Sequence, residues 1–89
     1  MCQKFDSFFG DIVEWNSKTI VVRDTKTKTE TRVLLHDADN LARLLGRKRK
    51  CVWIGIEDAT LTNVQWIRKS GRGVTLRYFP QAGRWFDCI

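Results

Sequence analysis

The sequence has no long apolar run. Residues 20–22 and 33–35 are three apolar residues each, whereas a helix that crosses a membrane needs about 20. The first residues also lack the basic and apolar regions of a signal peptide. We therefore expect a soluble, cytoplasmic protein with no membrane partner.

Cysteine and histidine are scarce. Cys2, Cys51 and Cys88 are an odd number with no close pair, unlike the dense, even set of a small secreted scaffold. Together with His36 they match the four ligands of a Cys3His zinc site. Cys2 could lie next to Cys88 if the two ends of the chain pair. Structural zinc sites, however, take their ligands in short C-x(2 to 4)-C pairs, and none is present. We expect free thiols and no metal or other cofactor.

Proline is almost absent, and no repeat, linker or low-complexity block interrupts the chain. Its 89 residues are too few for two cores, so we expect a single domain over residues 1–89. A hydrophobic content of 43% is enough to outweigh chain entropy and argues against disorder. Enzymes are rarely this small.

Positive charge is concentrated in the second half. Residues 1–40 carry six Lys or Arg against seven Asp or Glu, while residues 41–89 carry ten against three. This asymmetry favours a charged face for an anionic partner, although many basic proteins use Lys and Arg only for solubility.

The pattern predicts strands separated by turns. Residues 8–15 and 19–23 are apolar and β-branched around Asn16-Ser17, which predicts a hairpin. Residues 24–31 alternate between Thr and charged side chains and predict a second, solvent-facing hairpin, which returns along residues 30–36. Further strands are expected over residues 51–57, 64–69 and 74–79, with the alternation in the first of them assigning Val52, Ile54 and Ile56 to the core.

A short helix is predicted between the third and fourth strands. Asp37 can cap its start, and Gly46 ends it. Its apolar stripe consists of Ala38, Leu41, Leu44 and Leu45. Three strands, a helix and two more strands is the order of an OB-fold barrel, so we expect a mainly β, five- to six-stranded, OB-like barrel. An SH3-like barrel is the alternative, but it gives no reason for a capped helix at this point.

Several segments resemble the small OB domains of bacterial translation initiation factor one and ribosomal protein S1, over residues 8–69. The shared features are Gly10-Asp11-Ile12-Val13-Glu14, a basic stretch before the fourth strand, the strand over residues 51–57, and a following segment from Leu61 to Arg68. The chain differs by having Lys and Thr where those domains carry a Gly-bearing turn between strands two and three. The resemblance implies RNA binding.

Cations are predicted to gather in loops beside the barrel. A basic run follows the helix, where it can neutralise phosphates or simply form a solvated loop. The binding face of OB barrels is built from the middle strands and the loops that flank them, and the turn of the second hairpin, which carries cations, is one of these loops. Cations of the last hairpin could extend this binding face or protect a sheet edge. The candidate binding residues are Lys26, Lys28, Arg47, Lys48, Arg49, Lys50, Arg68, Arg72 and Arg77.

Tryptophan is unusually frequent, with four in 89 residues. Trp53 lies opposite the core positions of its strand, so we expect it to face outward beside Gly55, where a nucleic-acid base could approach and stack. Alternatively, Trp53 covers the barrel. For Trp15, Trp66 and Trp85 we expect packing in the core or at its rim.

Catalytic residues are not evident. His36 with Asp37 and Asp39 is the one cluster that resembles catalytic equipment, but helix capping and a strand end explain it. We therefore expect a non-enzymatic domain that binds RNA or single-stranded DNA, with no small-molecule substrate. The alternative is a small regulator or inhibitor that docks on another protein. The segment 83–89 favours it, because its two large aromatic residues must dock on the chain's own body or on another protein.

Overall fold

The protein is mainly β. The computed structural model describes residues 5–88, which form seven strands and one helix. In chain order these are β1 (Phe5–Trp15), β2 (Thr19–Asp24), β3 (Glu30–Leu34), α1 (Ala38–Leu45), β4 (Val52–Glu57), β5 (Thr60–Ile67), β6 (Gly73–Phe79) and β7 (Arg84–Asp87). The predicted mainly β class and the short helix between the third and fourth strands are confirmed. The predicted strand number was too low, because β7 was not assigned as a strand of its own.

The long strand β1 pairs with two neighbouring strands. Its first half pairs with β4 from Phe5 to Gly10, and its second half pairs with β2 from Gly10 to Trp15, both antiparallel. Gly10 stands where the two pairings meet. A Cβ atom at this position would collide with the carbonyl oxygen of Arg23, so the close approach of the two strands requires glycine.

Pairing between strands closes a ring of five. Antiparallel ladders join β1 to β2, β2 to β3, β1 to β4 and β4 to β5. A single parallel bridge from Leu34 to Thr60 then links β3 to β5. The strands β6 and β7 continue the sheet outward from β5, again antiparallel.

Side chains stabilise the first two turns. The Oδ1 atom of Asn16 accepts hydrogen bonds from the backbone N–H groups of Lys18 (2.9 Å) and Thr19 (2.8 Å). In the next turn, Asp24 accepts from the N–H group of Lys26 at 2.8 Å. Asn and Asp favour turns for this reason. The second predicted hairpin is confirmed, with its turn between Asp24 and Glu30.

The core contains buried residues from the five strands of the ring, from α1, and from β6 and β7. Val52, Ile54 and Ile56 are buried, as the alternation of β4 predicted. On the helix, three positions of the predicted stripe are buried and Leu44 is partly buried. Within residues 5–88, no helix has the length and apolar character that crossing a membrane demands.

The start of α1 differs from the prediction. Asp37 occupies the N-cap position in a left-handed conformation, and its side chain makes no capping hydrogen bond. Its Oδ2 atom instead accepts from the backbone N–H group of Trp85 at 3.2 Å. The capping role predicted for Asp37 is therefore wrong, because a tertiary contact with β7 uses the carboxylate.

Trp85 fastens β7 to the helix. Its indole N–H group donates to the carbonyl oxygen of His36 at 2.7 Å, and its own carbonyl accepts from Nδ2 of Asn40 at 2.8 Å. With these partners the side chain is only 1% exposed. The aromatic segment at the end of the chain thus docks on its own body through Trp85, and the predicted packing of Trp15, Trp66 and Trp85 in the core or at its rim is confirmed.

Candidate functional site

A row of side chains crosses the outer face of the sheet. Phe9 on β1 is paired with Trp53 on β4, Trp53 with Gln65 on β5, and Gln65 with Thr75 on β6. Because successive strand residues point to opposite faces, this row faces away from the buried neighbours Val52 and Ile54. We call these four residues the outer row.

A groove follows the outer row. It has a volume of about 520 Å³, and Lys48 of the loop after α1 contributes to its lining. The remaining lining residues outside the outer row are Cys51, Trp66, Ile67, Gly73 and Val74. The groove is therefore largely apolar and aromatic, with a cation among its lining residues.

Two aromatic rings form one wall of the groove. The ring centroids of Phe9 and Trp53 are 4.8 Å apart at an interplanar angle of 72°, an edge-to-face arrangement. Phe9 is 59% exposed and Trp53 is half-buried. The sequence predicts Trp53 on this face but not Phe9, because the pairing of Phe9 with β4 follows only from the strand register.

The space beside Gly55 is not open. A Cβ atom at Gly55 would lie 2.9 Å from the Cβ atom of Asn63, whose side chain covers this position. The predicted approach of a base next to Gly55 is therefore wrong. The Oδ1 atom of Asn63 is itself buried, with no hydrogen-bond partner among residues 5–88.

Two basic segments meet at one end of the sheet. β4 starts after the loop that follows α1, and its antiparallel partner β5 ends at the β5–β6 turn, so both connections lie at the same end. We call the cations of these two connections the basic end: Arg47, Lys48, Arg49, Lys50, Arg68, Lys69 and Arg72. The described ion pairs join Arg23 to Glu30 and Arg32 to Glu14, and neither uses a residue of the basic end.

Arg49 is held by its own chain. Its guanidinium lies over the ring of Trp15, 4.8 Å from the centroid, and Nη1 donates to the carbonyl oxygens of Gly46 (2.9 Å) and Lys48 (3.1 Å). Its carbonyl accepts from the N–H group of Ile12. Arg49 therefore fixes the loop, while Arg47 and Lys50 are exposed.

Asp11 anchors the other side of this loop. Its Oδ1 atom accepts from the backbone N–H group of Cys51 at 2.9 Å. The loop is thus attached to β1 at both Asp11 and Ile12, which holds Lys48 against the groove.

The remaining predicted cations lie around the groove without all entering it. Arg68 and Arg72 line a neighbouring depression of about 340 Å³ together with Asp87. Arg77 lies two residues beyond Thr75 on β6, with its guanidinium 5.9 Å from the ring centroid of Phe79. None of these three lines the groove itself.

Lys26 and Lys28 are exposed in the β2–β3 turn. This turn begins beside the groove, because the N–H group of Thr25 donates to the carbonyl oxygen of Phe9 at 3.0 Å. The structure therefore brings Lys48 and Trp53 together in the groove and leaves the other predicted cations around it.

His36 belongs to a different part of the molecule. Its ring stacks on that of Tyr78 at 5.2 Å, in a depression that also contains Glu57. Within residues 5–88, no three His, Cys, Asp or Glu side chains are grouped so that they could hold a metal ion. Cys51 and Cys88 are free thiols. Cys2, which the sequence suggested could meet Cys88, lies outside the described residues.

Comparison with known proteins adds no identity. No protein-family model, curated protein or solved structure matches this chain.

Proposed function

We propose that this protein is a non-enzymatic domain that binds single-stranded nucleic acid, either RNA or single-stranded DNA. One observation carries the proposal: an aromatic groove on the sheet surface opens beside a cluster of cations that have no ion-pair partner among the described residues. Stacking platforms next to cationic tracks are the usual means of binding single strands without a fixed sequence.

The groove supplies the stacking surface. Phe9 and Trp53 present an apolar, aromatic wall that a flat base can cover, and each stacked base contributes about 1–3 kcal/mol in known cases. An exposed Phe next to a half-buried Trp leaves apolar area in contact with water, so covering it is favourable.

The basic end supplies the phosphate contacts. Its cations lie on the two connections next to the groove, so a strand whose base stacks on Trp53 can place its backbone against Lys48 and the β5–β6 turn. Binding of this kind releases counterions and therefore weakens as salt rises.

We also propose an OB-like barrel. The ring of β1, β2, β3, β5 and β4, with a helix between β3 and β4, supports this assignment over the SH3-like alternative, which does not account for α1. A reducing, cytoplasmic setting belongs to the same proposal, and the free thiols of Cys51 and Cys88 agree with it.

A protein partner is the second candidate. Phe79 and Phe86 form an edge-to-face pair with centroids 5.4 Å apart on the last two strands, and both are more than two-fifths exposed. Exposed aromatic pairs of this kind can anchor a protein interface. The patch lies outside the groove, so the two candidates predict different sensitive residues.

The test is a titration with single-stranded oligonucleotides, ribo and deoxy, at several salt concentrations. Trp53→Ala should cost about 1–3 kcal/mol of binding free energy without changing the salt dependence, because the stacking contact is uncharged. Phe86→Ala is the control, since it removes an exposed aromatic ring outside the groove and should leave the affinity unchanged.

Circular dichroism must show that both variants fold. If the unaltered protein binds no oligonucleotide even at low salt, the proposal fails and the protein partner becomes the leading candidate. Loss of oligonucleotide binding in Phe86→Ala but not in Trp53→Ala would mean that the nucleic acid contacts the Phe79–Phe86 pair and not the groove.

A further inference from the structure

Gln65 occupies the centre of the outer row. It is paired with Trp53 on one side and Thr75 on the other, and its side chain contributes to the lining of the groove. Strand neighbours in register have Cβ atoms about 5 Å apart, so the amide of Gln65 lies within reach of a group stacked on the Trp53 ring.

The amide of Gln65 is unused by the fold. Among residues 5–88 it has no hydrogen-bond partner, although the side chain is half-buried. A glutamine amide carries one acceptor oxygen and an NH2 group with two donor hydrogens. Its donor and acceptor capacity is therefore available to a ligand in the groove.

We propose that Gln65 reads the edge of the base that stacks on Trp53, so that this position distinguishes one base from another. The inference rests on the proposed function. The polar edge of a base stacked on the indole ring lies beside that ring, and Gln65 is the next residue of the outer row, so its amide can pair with adjacent donor and acceptor atoms on that edge. Glutamine makes such two-point contacts with bases, most often with adenine.

Stacking alone could not provide this discrimination, because every base has a ring face. A polar contact to the base edge discriminates by about 1–3 kcal/mol, which corresponds to about 5- to 150-fold in affinity. Thr75, the next residue of the outer row beyond Gln65, also lines the groove.

The experiment uses five eight-nucleotide strands made of abasic residues. Four carry a single central base, A, C, G or T, and the fifth carries none. All five strands carry the same phosphates. The gain in affinity over the fully abasic strand therefore measures stacking, and the spread of affinities among the four bases measures how well the protein distinguishes them. We expect the unaltered protein to show a gain for every base and a spread of at least about fivefold.

Gln65→Met should reduce the spread to less than about twofold while the gain over the abasic strand persists, since methionine keeps the length of the side chain without its amide. Gln81→Met is the matched control: it makes the same change at an exposed position of the β6–β7 turn and should keep the spread of the unaltered protein.

The outcomes separate the two proposals. If the protein binds none of the five strands, the proposed function fails and this inference fails with it. If it binds the fully abasic strand and no base adds affinity, the stacking contact on Trp53 is absent and this inference fails. If all four bases add affinity equally, or if Gln65→Met keeps the spread and order of the unaltered protein, only the reading role of Gln65 is overturned.

Discussion

The two ends of the sheet use their polar groups in opposite ways. At the end where β4 meets β5 through Asp58 and Ala59, the His36 carbonyl and the neighbouring Asp37 carboxylate are bonded to Trp85. At the basic end, Arg49 bonds to its own loop, whereas the described ion pairs include none of the seven cations.

This difference separates stability from binding. Polar groups that satisfy one another inside the fold stabilise it and are not available to a partner. Cations without an acid partner repel one another and contribute little to folding, so their benefit must come from outside the chain. Changes at the end that holds Trp85 should therefore lower the free energy of unfolding, and changes to the exposed cations of the basic end should lower affinity.

The largest effect is expected for Trp85→Ala. Removing this buried ring should lower the free energy of unfolding by about 3–5 kcal/mol, because a cavity forms and the His36 carbonyl loses its donor. Denaturant unfolding measures the loss. Phe86→Ala, on the neighbouring exposed position, should change it by less than about 1 kcal/mol. Equal losses in the two variants would mean that β7 is not docked through Trp85.

The second effect is on the salt dependence of binding. Replacing Lys48 and Arg72 by Ser should lower the slope of log affinity against log salt by about 1.4, since each phosphate contact contributes about 0.7. Lys18→Ser with Arg84→Ser is the matched control, because it also removes one Lys and one Arg, both exposed and outside the basic end. If the slope falls equally in both double variants, binding depends only on net charge and the basic end makes no specific phosphate contacts.

The smallest effect distinguishes two neighbours in the basic run. Arg49→Ala should lower the free energy of unfolding by about 1 kcal/mol, because it removes the stacking on Trp15 and the hydrogen bonds to two carbonyls. Lys50→Ala should stay within about 0.5 kcal/mol. Thermal melting of both variants would show the difference. An unchanged melting temperature for Arg49→Ala would mean that Arg49 does not stabilise the loop.

The sequence was sufficient for what local patterns encode. Alternation in β4 predicted its buried face, and Asn16 and Gly46 marked a turn and a helix end that the structure contains. The outward position of Trp53 followed from the same alternation. These features depend on residues that are close together in the chain, so local sequence patterns predict them.

The errors concern contacts between distant segments. Asp37 fits the pattern of a helix cap, but Trp85 bonds to its carboxylate from 48 residues away. The gap expected beside Gly55 is filled by Asn63 from the next strand, and Phe9 joins Trp53 through a register that no local pattern encodes. Tertiary pairing of this kind overrides local preference.

The docking of Trp85 also has a kinetic consequence. Three of its hydrogen bonds reach residues 45 to 49 positions earlier, in α1 and the two residues before it, so forming them closes loops of that length. Contacts between distant residues carry the cost of closing long loops and slow the approach to the native state. We therefore expect refolding in milliseconds to seconds, with the helix gaining its full protection from hydrogen exchange in the final phase.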